Sequence, residues 1–151
     1  MNKSRYGEQL RISREELLSA VRHLKFSRDS VAQLKPVKEI DDWPPGDLEK
    51  VEAFTSRFAR VVDLLIHRVF RSIDFYELQE PGTLLDVANR AERRGFVESV
   101  DWLREMKDAR NRIAHDYTGD QLPDLLEFCL SELEALLLVC DHSAGYIQDL
   151  L

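Results

Sequence analysis

The sequence predicts an all-α fold, an up-and-down bundle of four to five helices in a single domain spanning residues 1–151. Three observations carry this. Apart from Gly7 and Gly145, every proline and glycine falls at Pro36, Pro44-Pro45-Gly46, Pro81-Gly82, Gly95, Gly119 or Pro123, so helix breakers are gathered at a few places. Between those places apolar residues recur every three or four positions and do not alternate. With 151 residues, 44% of them hydrophobic, the chain can bury roughly 68–70% of the surface its unfolded form exposes, enough for a core without a disulfide or metal staple.

The elements follow in order. A first helix is expected from Ser13, where Ser13 and Glu16 make a capping-box pattern, to about Gln33, with Leu17, Val21, Leu24 and Val31 inward. Residues 1–12 are then a candidate flexible extension, and residues 34–46 the one linker-like stretch. A longer second helix runs from about Asp47 to Asp74. Its stripe of Val51, Phe54, Phe58, Val61, Leu65, Val69 and Ile73 makes it the central strut. Thr83 caps a short helix that ends before Gly95, a fourth runs from about Val97 to His115, and a last one starts near Pro123, a favoured first-turn proline, and continues to His142 or beyond.

Composition excludes several classes. The longest apolar runs, such as Leu136-Leu137-Leu138-Val139-Cys140, fall far short of the roughly 20 residues a membrane span needs, and no apolar leader follows Met1-Asn2-Lys3. A net charge of −7 and a pI near 5.1 argue against a general, charge-driven nucleic-acid binder. Cys129 and Cys140 stand eleven residues apart on one expected helix, about 16 Å, too far for a disulfide. A reducing cytoplasm is the natural setting. Without CxxC spacing or a neighbouring histidine they also make no metal site, so neither metal nor cofactor is expected.

The fourth helix carries the chemistry. On a helical wheel with Arg110 at zero, Leu103 falls at about 20°, Ala114 at about 40°, Met106 at about −40° and Ile113 at about −60°, which puts Arg110 amid the apolar face. A permanent cation there must be paired, line a cleft, meet a partner subunit or snorkel to water. Asn111 lies one turn before His115, near enough to orient its ring, and Tyr117 follows just past the expected helix end.

The run Arg110-Asn111-Arg112-Ile113-Ala114-His115-Asp116-Tyr117, in which arginine, histidine and tyrosine are spaced Arg-x4-His-x-Tyr with asparagine after the arginine, resembles the signature of the HEPN superfamily. Chance would produce that spacing about 0.01 times in a chain of this composition. Gly95-Phe96-Val97, Trp102-Leu103 and Met106 also resemble the approach to the motif in the subgroup paired with minimal nucleotidyltransferases. The likeness in helix order spans residues 13–145, and its specific part is residues 95–117.

The resemblance implies a HepT-like toxin: a metal-independent endoribonuclease, acting on tRNA or mRNA, held as a homodimer in which both motifs face one cleft. Arg110 and His115 would then be the catalytic pair with Asn111 in support. A cognate minimal nucleotidyltransferase antitoxin would silence it by forming a complex and transferring AMP to Tyr117. General chemistry agrees with this. Cleaving RNA without a metal needs a group that moves a proton at the 2′-hydroxyl or the leaving oxygen, and positive charge at the phosphoryl oxygens. Histidine titrates near neutral pH and arginine presents a planar fork to phosphate.

From Asp86 to His115 seven basic residues face six acidic ones, a net of +1, and the rest of the chain carries −8. That balance suits a selective RNA target better than tight binding to any strand. Arg104, Lys107 and Arg112 are candidate RNA contacts, and Arg90, Arg93 and Arg94 are candidates for phosphate contacts in trans or a solvated helix face. His23, His67 and His142 are expected as surface or satisfied interfacial histidines, and Glu15-Glu16 and Asp41-Asp42 as cap and turn carboxylates. Two other readings compete: a non-catalytic HEPN subunit that binds the nucleotidyltransferase or its nucleotide, and a scaffold in which Arg110 pairs with a carboxylate inside the bundle.

Overall fold

A computed structural model describes residues 3–77 and 79–151. The chain forms α1 (Lys3–Val31), a 3-10 turn (Ile40–Asp42), α2 (Pro45–Leu64), a π turn (Leu65–Val69), α3 (Phe70–Tyr76), α4 (Leu84–Arg93), α5 (Val100–His115) and α6 (Leu122–Leu150). No strand occurs among the described residues. The backbone stays helical through Leu65 and Phe70, so α2, the π turn and α3 are one continuous rod.

The three long rods define the bundle. Arg68 reaches Glu16, and Arg57 reaches the His23 carbonyl and the Ser27 hydroxyl, so α1 runs antiparallel to the α2–α3 rod. Arg14 donates to the Ala144 carbonyl, and Tyr76 to that of Leu150, which closes α6 against the same two. Leu10, Leu17 and Leu24 of α1 and Leu133, Leu136 and Ile147 of α6 are buried around Phe54, Phe58 and Phe70. Every inward position expected in the second helix is at most 1% exposed.

That stripe also contains the reason for the π turn. Val61, Leu65, Val69 and Ile73 step by four, and in an α-helix each such step drifts about 40°. Three steps would carry Ile73 about 120° off the core. A π turn inserts one extra residue and returns the later positions inward.

Two expectations are corrected. Ser13 does not start the first helix: α1 begins by Lys3, and Ser13 lies buried in its middle with its hydroxyl donating to the Leu10 carbonyl at 3.0 Å. Leu10 is fully buried, one heptad before Leu17, so the helix continues through residues 3–12 and is anchored at Leu10, while Met1 and Asn2 lie outside the described residues. The linker-like stretch is anchored too, since Trp43 is 5% exposed and the Asp42 carboxylate accepts the Glu39 N–H at 3.1 Å. The Thr83 cap stands as expected, its hydroxyl accepting from the Asp86 N–H and the Asp86 carboxylate from the Thr83 N–H. The fourth helix begins at Val100, capped by Ser99, three residues later than expected.

Candidate functional site at the end of α5

α5 packs antiparallel along α2 and buries Leu103, Met106 and Ala109, which centres its inward face about 40° from Arg110. Arg110 therefore sits at the edge of the apolar face, not in its middle. The wheel misplaced it by counting Ala114 as inward; near the helix end Ala114 is exposed. The guanidinium Nε lies 2.9 Å from both carboxylate oxygens of Asp63 on α2, with the two side chains 33% and 35% exposed. Nη1 donates to the Asn111 amide oxygen at 3.3 Å. This pairing accounts for the cation within one chain. Because the carboxylate engages Nε, both Nη atoms stay able to meet a second anion.

Arg110 and Asp63 line a shallow groove of about 460 Å³ between α2 and the last turns of α5. Its floor includes Ala59, Leu64, Ile113 and Ala114, and Arg60, His67 and Arg68 complete the wall. Ser56 and Ile113 also line a smaller hollow of about 210 Å³ that contains Tyr117, so the two join along the outer face of α2.

Beyond α5 the chain turns sharply. Gly119 has φ +80°, and a Cβ there would overlap the Ile40 side chain. The turn is held by the Asp116 carboxylate, which accepts the Gln121 N–H at 3.1 Å, and by Arg112 Nε, which donates to the Gln121 amide oxygen at 3.0 Å. It displays Tyr117 at 88% exposure, with its hydroxyl 3.3 Å from His115 Nδ1 and the two rings edge to face. Asn111, expected to orient His115, is bonded to Arg110, and Tyr117 is the ring's neighbour.

The other candidates divide. Lys107 and Arg104 lie about 60° and about 120° around α5 from Arg110, on the flank that carries His115 at about 140°. Arg112 is turned to the loop after α5. Arg90 and Arg94 are not phosphate contacts. They are 14% and 12% exposed and close on Asp74 at 3.2 and 2.7 Å, Asp74 itself being 3% exposed, and Arg94 also bonds Glu77 at 2.9 Å. Burial works against the charge of Arg94, but Asp74 and Glu77 hold its pKa above the ordinary arginine value. Tyr146 donates to Glu77 at 2.7 Å, and the network thus ties α3, α4 and α6 together. Arg93 stays exposed.

Sequence reasoning passed over Asp63 and expected His67 only as a surface or satisfied interfacial histidine. His67 is presented from the π turn into the groove that Arg110 lines. The run of four-residue steps in the second helix was a signal for that turn. Glu15 and Glu16 lie mid-helix on α1, bonded to Arg11 and Arg68, while Asp41 and Asp42 occupy the 3-10 turn as expected. Both cysteines are buried on α6, and burial pushes each thiol up to about 12. Among the described residues no three His, Cys, Asp or Glu side chains converge as a metal-ligand set, and no helix is long and apolar enough to cross a membrane.

Compared with protein-family models, curated proteins and solved structures, the chain matches none. The class defined by the fold is an all-α bundle with an arginine groove and a histidine–tyrosine pair at one helix end.

Proposed function

We propose that the chain is a HEPN-type endoribonuclease toxin of the cytoplasm, a homodimer that cleaves tRNA or mRNA without a metal ion and is neutralised by a cognate minimal nucleotidyltransferase. The observation that carries this reading is the solvent-exposed Tyr117, its hydroxyl 3.3 Å from the His115 ring at the end of the helix that supplies Arg110 to a groove. Arg110 binds the phosphoryl oxygens through its Nη atoms, and His115 moves a proton at the reacting oxygens. Asn111 positions Arg110 through its amide oxygen, while Arg104 and Lys107 extend positive charge along the same flank of α5. The half-buried and exposed apolar residues Ile113 and Ala114 supply a face for the second subunit.

Neutralisation uses the same geometry. The Tyr117 phenol oxygen attacks the α-phosphorus of ATP, pyrophosphate leaves, and the phenolic proton passes to a base supplied by the partner. The attached AMP brings bulk and a negative phosphate against His115, excluding RNA by both. A second reading, a non-catalytic subunit that binds the nucleotidyltransferase or its nucleotide, is favoured by the net charge of −7, while the Arg110–Asp63 pair is the kind of contact the scaffold reading expects.

The deciding experiment is cleavage of total RNA and of a tRNA pool in EDTA by purified wild-type protein and His115→Ala, after intact-mass analysis shows Tyr117 unmodified. Cleavage by wild type alone is expected. Absence of cleavage by either overturns the ribonuclease reading in favour of the binding subunit, and loss of wild-type cleavage in EDTA but not in added magnesium overturns metal independence.

A further inference from the structure

The α2–α3 rod leaves α geometry at one turn, and that turn faces Arg110. A single π turn recurs often at functional sites, because its extra residue re-aims the side chains on its outward face. Here Leu65, Ile66 and Val69 stay within 1% of full burial, so the re-aimed residues are His67 and Arg68. His67 lies between the Arg110 groove and a second hollow of about 270 Å³ against α1. Among the described residues neither of its ring nitrogens has a hydrogen-bond partner, although Asp63, Arg68 and Arg110 around it are each engaged.

The charges facing His67 come from three elements. Its own rod supplies Asp63, Arg68 and Arg71, α5 supplies Lys107 and Arg110, and α1 supplies Glu16, which Arg68 occupies. Partial burial of the ring, then the charge of Lys107, push its pKa below the ordinary histidine value. Asp63 pulls it back, and Arg71 and Arg110 add to the lowering. The lowering favours the neutral imidazole, whose lone pair can take a proton.

We infer that His67 is the general base of this site, set by the π turn across the groove from Arg110 to take the proton of an RNA 2′-hydroxyl. The inference rests on the ribonuclease reading above. The 2′-oxygen passes its proton to His67 and attacks the phosphorus whose oxygens Arg110 holds. The bond from phosphorus to the next nucleotide's 5′-oxygen breaks, and that oxygen takes a proton from water in the open groove. The products are a 2′,3′-cyclic phosphate and a 5′-hydroxyl, and the His67 ring resets by returning its proton to the hydroxide left in the groove.

Two measurements test this. In the first, the ring C2 protons of all four histidines are followed by NMR from pH 4.5 to 8.5, with and without adenosine 3′-monophosphate as the probe. The His67 midpoint is expected below the usual value of about 6.5 and should rise when the nucleotide's phosphate arrives, while His23 and His142 do not move. An unmoved His67 beside a shifted His115 overturns the assignment and leaves the site intact; both unmoved at saturating nucleotide overturns the site as well.

In the second, His67→Gln, a change at an outward position that should leave the melting temperature nearly unchanged, is compared with wild type. Loss of at least about 100-fold in kcat, with KM within about threefold and the acidic limb of the pH profile gone, is the expected result. Full activity in His67→Gln with none in His115→Ala overturns the role of His67 while the ribonuclease reading stands. An inactive wild type overturns both.

Discussion

Two arginine–carboxylate clusters stand on neighbouring parts of the bundle, and they differ in what their arginines have left to offer. At Asp74, Arg90 and Arg94 are 14% and 12% exposed, and with Glu77 they close a network around a buried carboxylate. At Asp63, Arg110 is 33% exposed, bonded through Nε, and lines a groove. The first cluster consumes its cations to join α3 to α4. The second holds its cation in place and leaves it usable. Basic residues of the same type, sixteen to twenty positions apart in sequence, are thus sorted into a closed network and an open groove by the carboxylate that each one meets.

The sharpest way to break this comparison is to remove the carboxylates in turn. Asp74→Ala leaves two arginines buried without a counter-charge, and breaking a buried pair from one side costs roughly 3 kcal/mol or more. Urea unfolding should show a large fall in the midpoint, with RNA cleavage per folded molecule unchanged. A loss of no more than about 0.5 kcal/mol, of the size expected for an ordinary surface change, would mean that the network is ornamental.

The next effect in size tests how the second region is built. Gly119 holds φ +80° with the Ile40 side chain where a Cβ would stand. Gly119→Ala therefore combines left-handed strain with overlap and should cost about 1–3 kcal/mol. It should also move the turn that carries Tyr117, so the AMP transfer proposed for Tyr117 should fall along with the melting temperature. Unchanged AMP transfer in a destabilised variant would separate the turn's folding role from its role in presenting the tyrosine.

Smaller still in stability is Asp63→Asn. The pair is one-third exposed, where such ion pairs contribute about 0–1 kcal/mol, so the unfolding midpoint should barely move. Its effect on function is the informative part. A freed Arg110 should bind a phosphate more readily but less well oriented, so KM for RNA should fall while kcat falls too. Equal losses in stability and cleavage would assign Asp63 to the scaffold reading, in which Arg110 is a bundle cation and nothing more.

How far these regions were legible in the sequence follows from the range of the interactions involved. The stripes of the long helices were readable because three-to-four spacing is local, and Leu17, Leu24, Phe54 and Phe58 are buried as that spacing demands. The capping box at Thr83 is equally local and stands. Ser13 had the same pattern but a different fate: Leu10 continues the heptad behind it, and a mid-helix serine can satisfy its hydroxyl on the preceding turn. Arg90 and Arg94 could not be assigned, because their partner Asp74 stands on α3, sixteen and twenty residues before them, beyond the reach of any local pattern. Arg110 was recognised as anomalous, but Asp63, forty-seven residues away, was invisible to any periodicity. His67 was hidden for a related reason, since its direction depends on a π turn that the stripe implies only over three successive steps.

The smallest effect concerns that histidine and the pH dependence of stability. A pKa lowered in the folded state means that between the folded value and the ordinary value of about 6.5 the unfolded chain binds more protons than the folded one. Stability then rises with pH across that interval: the contribution is fully present above about pH 6.5 and is lost as the pH falls through the folded pKa. His67→Gln removes the term, so its melting temperature should drop less than that of wild type between pH 7.5 and pH 5. A wild-type slope retained in His67→Gln would mean that the cations around the groove do not act on this ring. It would then resemble the satisfied arginines at Asp74, held by the structure and with nothing left to offer a substrate.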